Sequence, residues 1–266
     1  MDLSLYYANP NEKPLDRIVD DGGMTAIFRT IACIGDSLSS GEFESTKPDG
    51  TTGYHDYYEY SWGQFLGRMI GAKVYNFSKG GMTAQQYLES FADKKGFWGD
   101  DKLAQAYIMA LGVNDILNKN HPLGSKESID PENWRNNDME TFAGRYAAIL
   151  QRYREAMPKS RFFLVTIPRS NRPERDAKAE LHAALLHDIA SLFEFTYVID
   201  LNRYAPVFDE KFRSYFNLAS HMNPTGYLLV AKIIGSYIDY IIRNNPEDFK
   251  QVGFIGTPHH SDKAKW

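Results

Sequence analysis

The chain has a single cysteine among its 266 residues, Cys33, and it lies inside an apolar run. No intrachain disulfide can form, and a buried, inert thiol is the expected state. Positive charge is not in surplus either: 30 Lys and Arg face 34 Asp and Glu, a net charge of −4. The electrostatic footprint of a nucleic-acid binder is therefore absent, and no such partner is expected. The opening residues "MDLSLYYANPNEKPLD" have neither the basic nor the apolar part of a secretory leader. The longest apolar stretch, "YLLVAKIIGSYIDYII" (227–242), is broken by Lys232, Ser236 and Asp239, so no membrane span is expected. A cytoplasmic protein without a membrane partner follows as an expectation. Repeats, low-complexity tracts and dividing linkers are missing as well.

Short apolar runs alternating with helical patterns make up the rest. "TIACIG" (30–35), "KVYNFS" (73–78), "AYIMALG" (106–112), "RFFLVTI" (161–167) and "FTYVIDL" (195–201) are too short for helices, and most are rich in β-branched or aromatic residues, so they read as buried strands. Between them, Trp62, Phe65, Leu66, Met69 and Ile70 recur at helical spacing before Gly71. A second stripe runs from Asp138 to Met157 before Pro158, and an Ala- and Leu-rich segment covers 173–193. The last helix begins at "NPTGY", with Asn223 as N-cap and Pro224 at the first helical position. Strands alternating with helices predict a parallel sheet covered on both faces, a three-layer α/β domain. Residues 1–29 read as an N-terminal arm, 30–245 as the domain and 246–266 as a C-terminal tail. Two segments break the rhythm, 41–60 and 118–137 ("NKNHPLGSKESIDPENWRNN"), and loops of that length usually carry function or disorder.

Ligands of open parallel sheets bind beyond the C-terminal strand ends, so the residues that follow each strand matter most. After the first comes "GDSLSSG" (35–41), which sets a serine on a strand-to-helix turn beside backbone N–H donors. After the second comes "SKGGMTA" (78–84), whose glycines permit close backbone approach. After the third comes "GVND" (112–115), where Asn114 offers a neutral NH₂ donor. His221 lies just before the final helix. Each has a plain structural reading too: Ser37 as a helix cap, Asn114-Asp115 as a turn, His221 as a loop residue.

These four blocks, in this order, resemble the SGNH (GDSL) hydrolases, lipases, esterases and acylhydrolases, from about Ile31 to the final helix. The resemblance implies a flavodoxin-like three-layer α/β/α fold with a five-stranded parallel sheet. It implies Ser37 as nucleophile, His221 as base and then acid, and an oxyanion hole made by the N–H of Ser37, the N–H of Gly81 (Gly80 as second choice) and the side chain of Asn114. It also implies a covalent acyl-enzyme with no cofactor and no metal. The partner is then a small-molecule ester, with a small acyl group; an O-acetylated carbohydrate is one such substrate. Oligomeric state stays open.

The family pattern places an aspartate three residues before the histidine, and here that position is Leu218. Two repairs are open. A backbone carbonyl in the Leu218 region can accept the Nδ1–H of His221, or a carboxylate can reach in from Asp200, Asp209 or Glu210. The carbonyl is the favoured expectation. The gap also motivates a rival, a catalytically degenerate domain that binds a carbohydrate or acyl ligand. A flavodoxin-like phosphate or flavin binder is a third reading, opposed by Asp36 in the would-be phosphate loop.

The aromatic insertion "TTGYHDYYEYSW" (51–62) and Trp134 either line the substrate crevice, with Tyr54 foremost, or fill a layer under a long loop. "PRSNRPER" (168–175) sets Arg169, Arg172 and Arg175 on the crevice side, for an anionic group or as a solvated helix start. Arg169 is the candidate taken forward. His55-Asp56 and His259-His260 lack the company a metal site needs, and His182 and His187 read as surface or core filling.

Overall fold

A computed structural model describes residues 2–266. Strand β1 (Thr30–Gly35) is followed by a hairpin of β2 (Glu42–Thr46) and β3 (Thr52–Asp56), and then by β4 (Lys73–Ser78), β5 (Ala106–Ala110), β6 (Arg161–Val165) and β7 (Thr196–Ile199). The main sheet has five strands in the order β4-β1-β5-β6-β7, all parallel. Counted along the chain within that sheet the order is 2-1-3-4-5, the flavodoxin-like winding, whose direction switches between β1 and β5. The crevice that such a switch opens lies where Ser37 and Asn114 leave their strands.

Alternation along each strand feeds two cores. Ala32, Ile34, Tyr107, Met109, Phe162 and Leu164 pack on one face with the helices Phe142–Ala156 and Pro173–Leu192. Ile31, Cys33, Ala106, Ile108, Phe163 and Val165 pack on the other with Trp62–Ile70 and Pro224–Asn244. Burial on both faces is what makes the strands read as continuous apolar runs. Each large side chain fully buried in this way contributes about 1.5–3 kcal/mol. Cys33 is buried, and burial pushes its thiol well above the ordinary range.

Three strands end earlier than their apolar runs. Gly112 turns the chain away from β5 with φ +131°, and a Cβ there would lie 2.4 Å from His182 Nε2. Beyond β6 and β7, Thr166 and Asp200 leave the ladder for side-chain duties: Thr166 Oγ1 donates to Asp200 and accepts from Asn202 N–H, and Asp200 caps the next turn.

The arm and tail are packed on the domain. Val19, Thr25 and Phe28 are buried, Thr25 Oγ1 donates to Gly235 O, and Arg243 holds Glu12 through two 2.7 Å contacts. Phe249, Val252 and Ile255 of the tail join the second core. The final helix corrects one expectation. By length and composition Pro224–Asn244 is apolar enough to cross a membrane, Lys232, Ser236 and Asp239 notwithstanding. It is a core helix here, with Asp239 paired to Arg243 at 2.8 Å and accepting Met24 N–H.

Candidate active site

Ser37 opens the short helix Ser37–Ser40 at the end of β1, and the cap of that helix is Asp36, which accepts Leu38 N–H at 3.0 Å. Ser37 is therefore not the capping residue. Its hydroxyl has no hydrogen-bond partner among the described residues and faces the crevice. The turn is tight: a Cβ on Gly35 would lie 2.1 Å from Ser39 Oγ, so only glycine fits. Burial, with Asp115 and Glu42 adding, pushes the Asp36 carboxyl up to about 7, against the Leu38 N–H and His221.

The other blocks converge on the same place. Gly81 has φ +73°, a left-handed conformation that favours glycine, with open space where a Cβ would be. Asn114 donates one Nδ2 hydrogen to Met82 O at 3.1 Å and accepts from Asn118 at 2.8 Å, which aims the amide and leaves its second hydrogen free. Asp115 is buried and accepts Ala84 N–H, tying the segment after β5 to the one after β4. Ser37, Gly81, Asn114 and His221 all line one crevice of about 800 Å³. A small apolar cavity of about 60 Å³ adjoins it, sharing Leu38, Val113, Ile167, Phe208 and Met222 with the crevice.

The orienter of His221 is where the structure departs from expectation. His221 Nδ1 lies 2.7 Å from Glu44 Oε1, and the same oxygen accepts Ser220 N–H at 3.0 Å and the Ser220 hydroxyl. These bonds outweigh burial and hold the Glu44 carboxyl below the ordinary range. The expected Leu218-region carbonyl does not take Nδ1, because a carboxylate arrives from the β2–β3 hairpin instead. Asp200 is engaged by His187 at 3.0 Å and by Thr166, and Asp209 caps the helix Glu210–Phe216 through Phe212 N–H. Neither is a partner of His221. On the other side of the imidazole, Nε2 lies 3.2 Å from Glu42 Oε1. Burial holds Glu42 above the ordinary carboxylate range, with Asp56 and Glu44 adding and His221 opposing.

Glu42 and Glu44 are the site residues that sequence reasoning missed. Residues two apart on a strand share a face, so one β2 face presents both carboxylates to the imidazole. The opposite face carries Phe43, which packs edge-on against Tyr57, Tyr60 and Tyr227 and clamps the hairpin to the final helix. Tyr227 OH donates to Glu42 O at 2.8 Å. The signal was present: alternating "EFEST" followed by the turn "KPDG" reads as a hairpin.

The remaining candidates divide. Tyr54 is 61% exposed with its ring edge-on to His221 at 6.1 Å, so it neighbours the histidine without lining the crevice. Trp134 lies elsewhere, in a groove with Trp98, Arg135 and Arg152 beside the Phe142–Ala156 helix. Arg169 is exposed and does not line the crevice; Arg172, Arg175 and Arg213 do. His182 is a core histidine, pushed down to about 4 by burial despite its contact to Leu111 O.

A doubly covered parallel sheet with a serine, a histidine and convergent donors at its switch point defines an α/β/α domain of the hydrolase type. Residues 33–229 match the GDSL-like Lipase/Acylhydrolase family, and the chain belongs to it. No curated protein matches the chain. Among solved structures it is similar to a protein from Lactobacillus plantarum, at 16% identity over 80% of this chain and 97% of that one, TM-score 0.59. A family two carbohydrate esterase from Clostridium thermocellum in complex with cellohexaose shares the fold at 14% identity over 89% and 66%, TM-score 0.56. So does a carbohydrate esterase family 2 enzyme with a carbohydrate binding domain from Corynascus thermopiles, at 16% over 79% and 65%, TM-score 0.54.

Proposed function

We propose that the chain hydrolyses small acyl esters through an acyl-enzyme on Ser37, with His221 as base and Glu44 as the carboxylate that orients it. The observation that carries this reading is the 2.7 Å bond from Glu44 to His221 Nδ1 in the crevice that also holds Ser37, Gly81 and Asn114. Glu44 keeps the proton on Nδ1, which leaves the Nε2 lone pair to take the Ser37 proton. Ser37 Oγ attacks the acyl carbon, and the oxyanion meets the N–H of Ser37, the N–H of Gly81 and the free hydrogen of Asn114. His221 then returns the proton to the departing alcohol. Water, deprotonated by His221, cleaves the acyl-enzyme and frees Ser37. The degenerate-domain reading drew on the carboxylate missing at Leu218, and Glu44 removes that motive.

The apolar cavity sets the acyl size. Its volume of about 60 Å³ favours a short acyl group over a fatty chain. The test is a fluorophosphonate probe read by intact mass and peptide mapping, with 4-nitrophenyl acetate and octanoate as substrates. One adduct on Ser37 and turnover that favours acetate are expected. Folded protein that takes no adduct and cleaves neither ester overturns the proposal.

Two groups compete for His221 Nε2, the Ser37 hydroxyl and the Glu42 carboxyl, which lies 3.2 Å away. Glu42→Ala leaves Nε2 to the serine and is expected to raise kcat/KM for 4-nitrophenyl acetate by about threefold. An unchanged or lower value contradicts the competition.

A further inference from the structure

The crevice is electrically lopsided. It carries Glu42 3.2 Å from the imidazole, and its wall also holds Arg172, Arg175 and Arg213 against one further carboxylate, Asp176. The arginines come from two separate elements, Arg172 and Arg175 from the start of the Pro173–Leu192 helix and Arg213 from Glu210–Phe216. None of the three forms an ion pair with a carboxylate among the described residues. Asp176 is engaged otherwise, with Oδ1 accepting the N–H and hydroxyl of Ser170 at 2.8 and 2.9 Å. Arg213 is anchored by donating to Phe208 O, so its guanidinium is held at the wall rather than free to swing into solvent.

Guanidiniums gathered on one wall of a cleft make a positive potential that attracts an anion, and their planar forks match oxyanion geometry. The same-sign field is felt at half-buried Arg175, held below its ordinary value by burial and by the charges of Arg172 and Arg213, with Asp176 opposing. Solvated arginines at a helix start usually find a nearby acid; these face a cavity shared with the reacting groups.

We infer that Arg172, Arg175 and Arg213 form a subsite for an anionic group, a carboxylate or a sulfate-type oxyanion, carried on the alcohol half of the ester. This deepens the esterase reading and rests on it for the position of the alcohol. The small apolar cavity, lined by Asp36 and Leu38 that flank Ser37, is assigned to the acyl group, which leaves the open, basic part of the crevice to the leaving group. Glu42 enforces the same direction by repelling an anion placed at the imidazole end. A neutral ester then binds with one recognition element missing.

The test compares 4-acetoxybenzoate and 4-acetoxybenzenesulfonate with neutral 4-acetoxybenzamide, each corrected for its alkaline hydrolysis rate. Biphenyl homologues extend the reach of the anion. The anionic esters should show at least about tenfold higher kcat/KM. The ratio should fall towards one in Arg172→Gln/Arg175→Gln and in Arg213→Gln, and should shrink as salt is raised. Arg169→Gln, outside the crevice, should keep the ratio. The carboxylate and sulfonate arms identify which oxyanion is preferred. Turnover of all three esters without preference, or a preference untouched by the arginine variants, overturns the subsite. If no ester is cleaved, the esterase reading fails separately, and the subsite is decided by NMR titration of 4-hydroxybenzoate against 4-hydroxybenzamide. Benzoate-selective binding that vanishes in the double variant sustains it, and absence of such binding refutes it.

Discussion

Ser37→Ala is expected to lower kcat for 4-nitrophenyl acetate by about 10⁶, the loss that accompanies removal of the nucleophile from a serine hydrolase whose groups act as a unit. The size follows from what alanine removes. Without Oγ there is no acyl-enzyme, and water must attack the bound ester directly, helped only by donors that remain in place. The N–H of residue 37, the N–H of Gly81 and Asn114 are all untouched by the substitution, so slow hydrolysis above the uncatalysed rate should persist. The folded state should hardly notice. Ser37 Oγ has no hydrogen bond among the described residues, and the helix cap is made by Asp36, so the change in stability should stay within about 0.5 kcal/mol. Turnover and a melting curve on the same preparation read both. A fully folded Ser37→Ala protein that keeps wild-type activity would show that another group is the nucleophile.

How much of this was legible beforehand depends on the range of the interactions. The five sheet strands announce themselves because burial on both faces makes each a short, continuous apolar run. The final helix is marked at its start by Asn223 and Pro224, and the structure shows Asn223 accepting Gly226 N–H at 2.9 Å. Ser37, Gly81 and Asn114 are legible because each follows a strand whose end is visible, and parallel strands bring those ends together; His221 is legible because it precedes a helix whose start is marked. Glu44 is different in kind. Its partner, His221, lies 177 residues away, and the hairpin that carries Glu44 is seated on the final helix by Phe43 against Tyr227 and by Tyr227 OH on Glu42 O. Nothing near His221 in the chain hints at it. The acids closer to His221 in the chain, Asp200 after β7 and Asp209 before Glu210–Phe216, have local capping roles instead. The same limit applies to Trp134, whose loop packs beside the Phe142–Ala156 helix, and to Arg169, which lies three residues from an arginine that does face the crevice.

The second large effect is expected at Glu44, and the choice of replacement separates two contributions. Three donors converge on Glu44 Oε1: Ser220 N–H, the Ser220 hydroxyl and His221 Nδ1–H. In Glu44→Ala all three lose that acceptor, His221 Nδ1 keeps only the longer 3.2 Å contact to Ser220 Oγ, and the imidazolium formed in each step has no counter-charge on that side. A loss of about 10⁴ in kcat is expected, comparable to removal of the acid from a serine-protease triad. Glu44→Gln should cost less. Its amide oxygen can still face the three donors, since turning the NH₂ towards Ser220 N–H would set donor against donor. The tautomer is then kept, and only the charge that stabilises the imidazolium is lost. The gap between the two variants measures tautomer control, and the residual deficit of the glutamine variant measures charge. Both should be assayed beside Asp209→Ala, which removes a helix cap and should cost stability of about 1 kcal/mol and little chemistry. If Glu44→Ala stays within tenfold of wild type while folding normally, the hairpin carboxylate is not what holds His221 during turnover, and the orienting group must come from the chain around residue 218 after all.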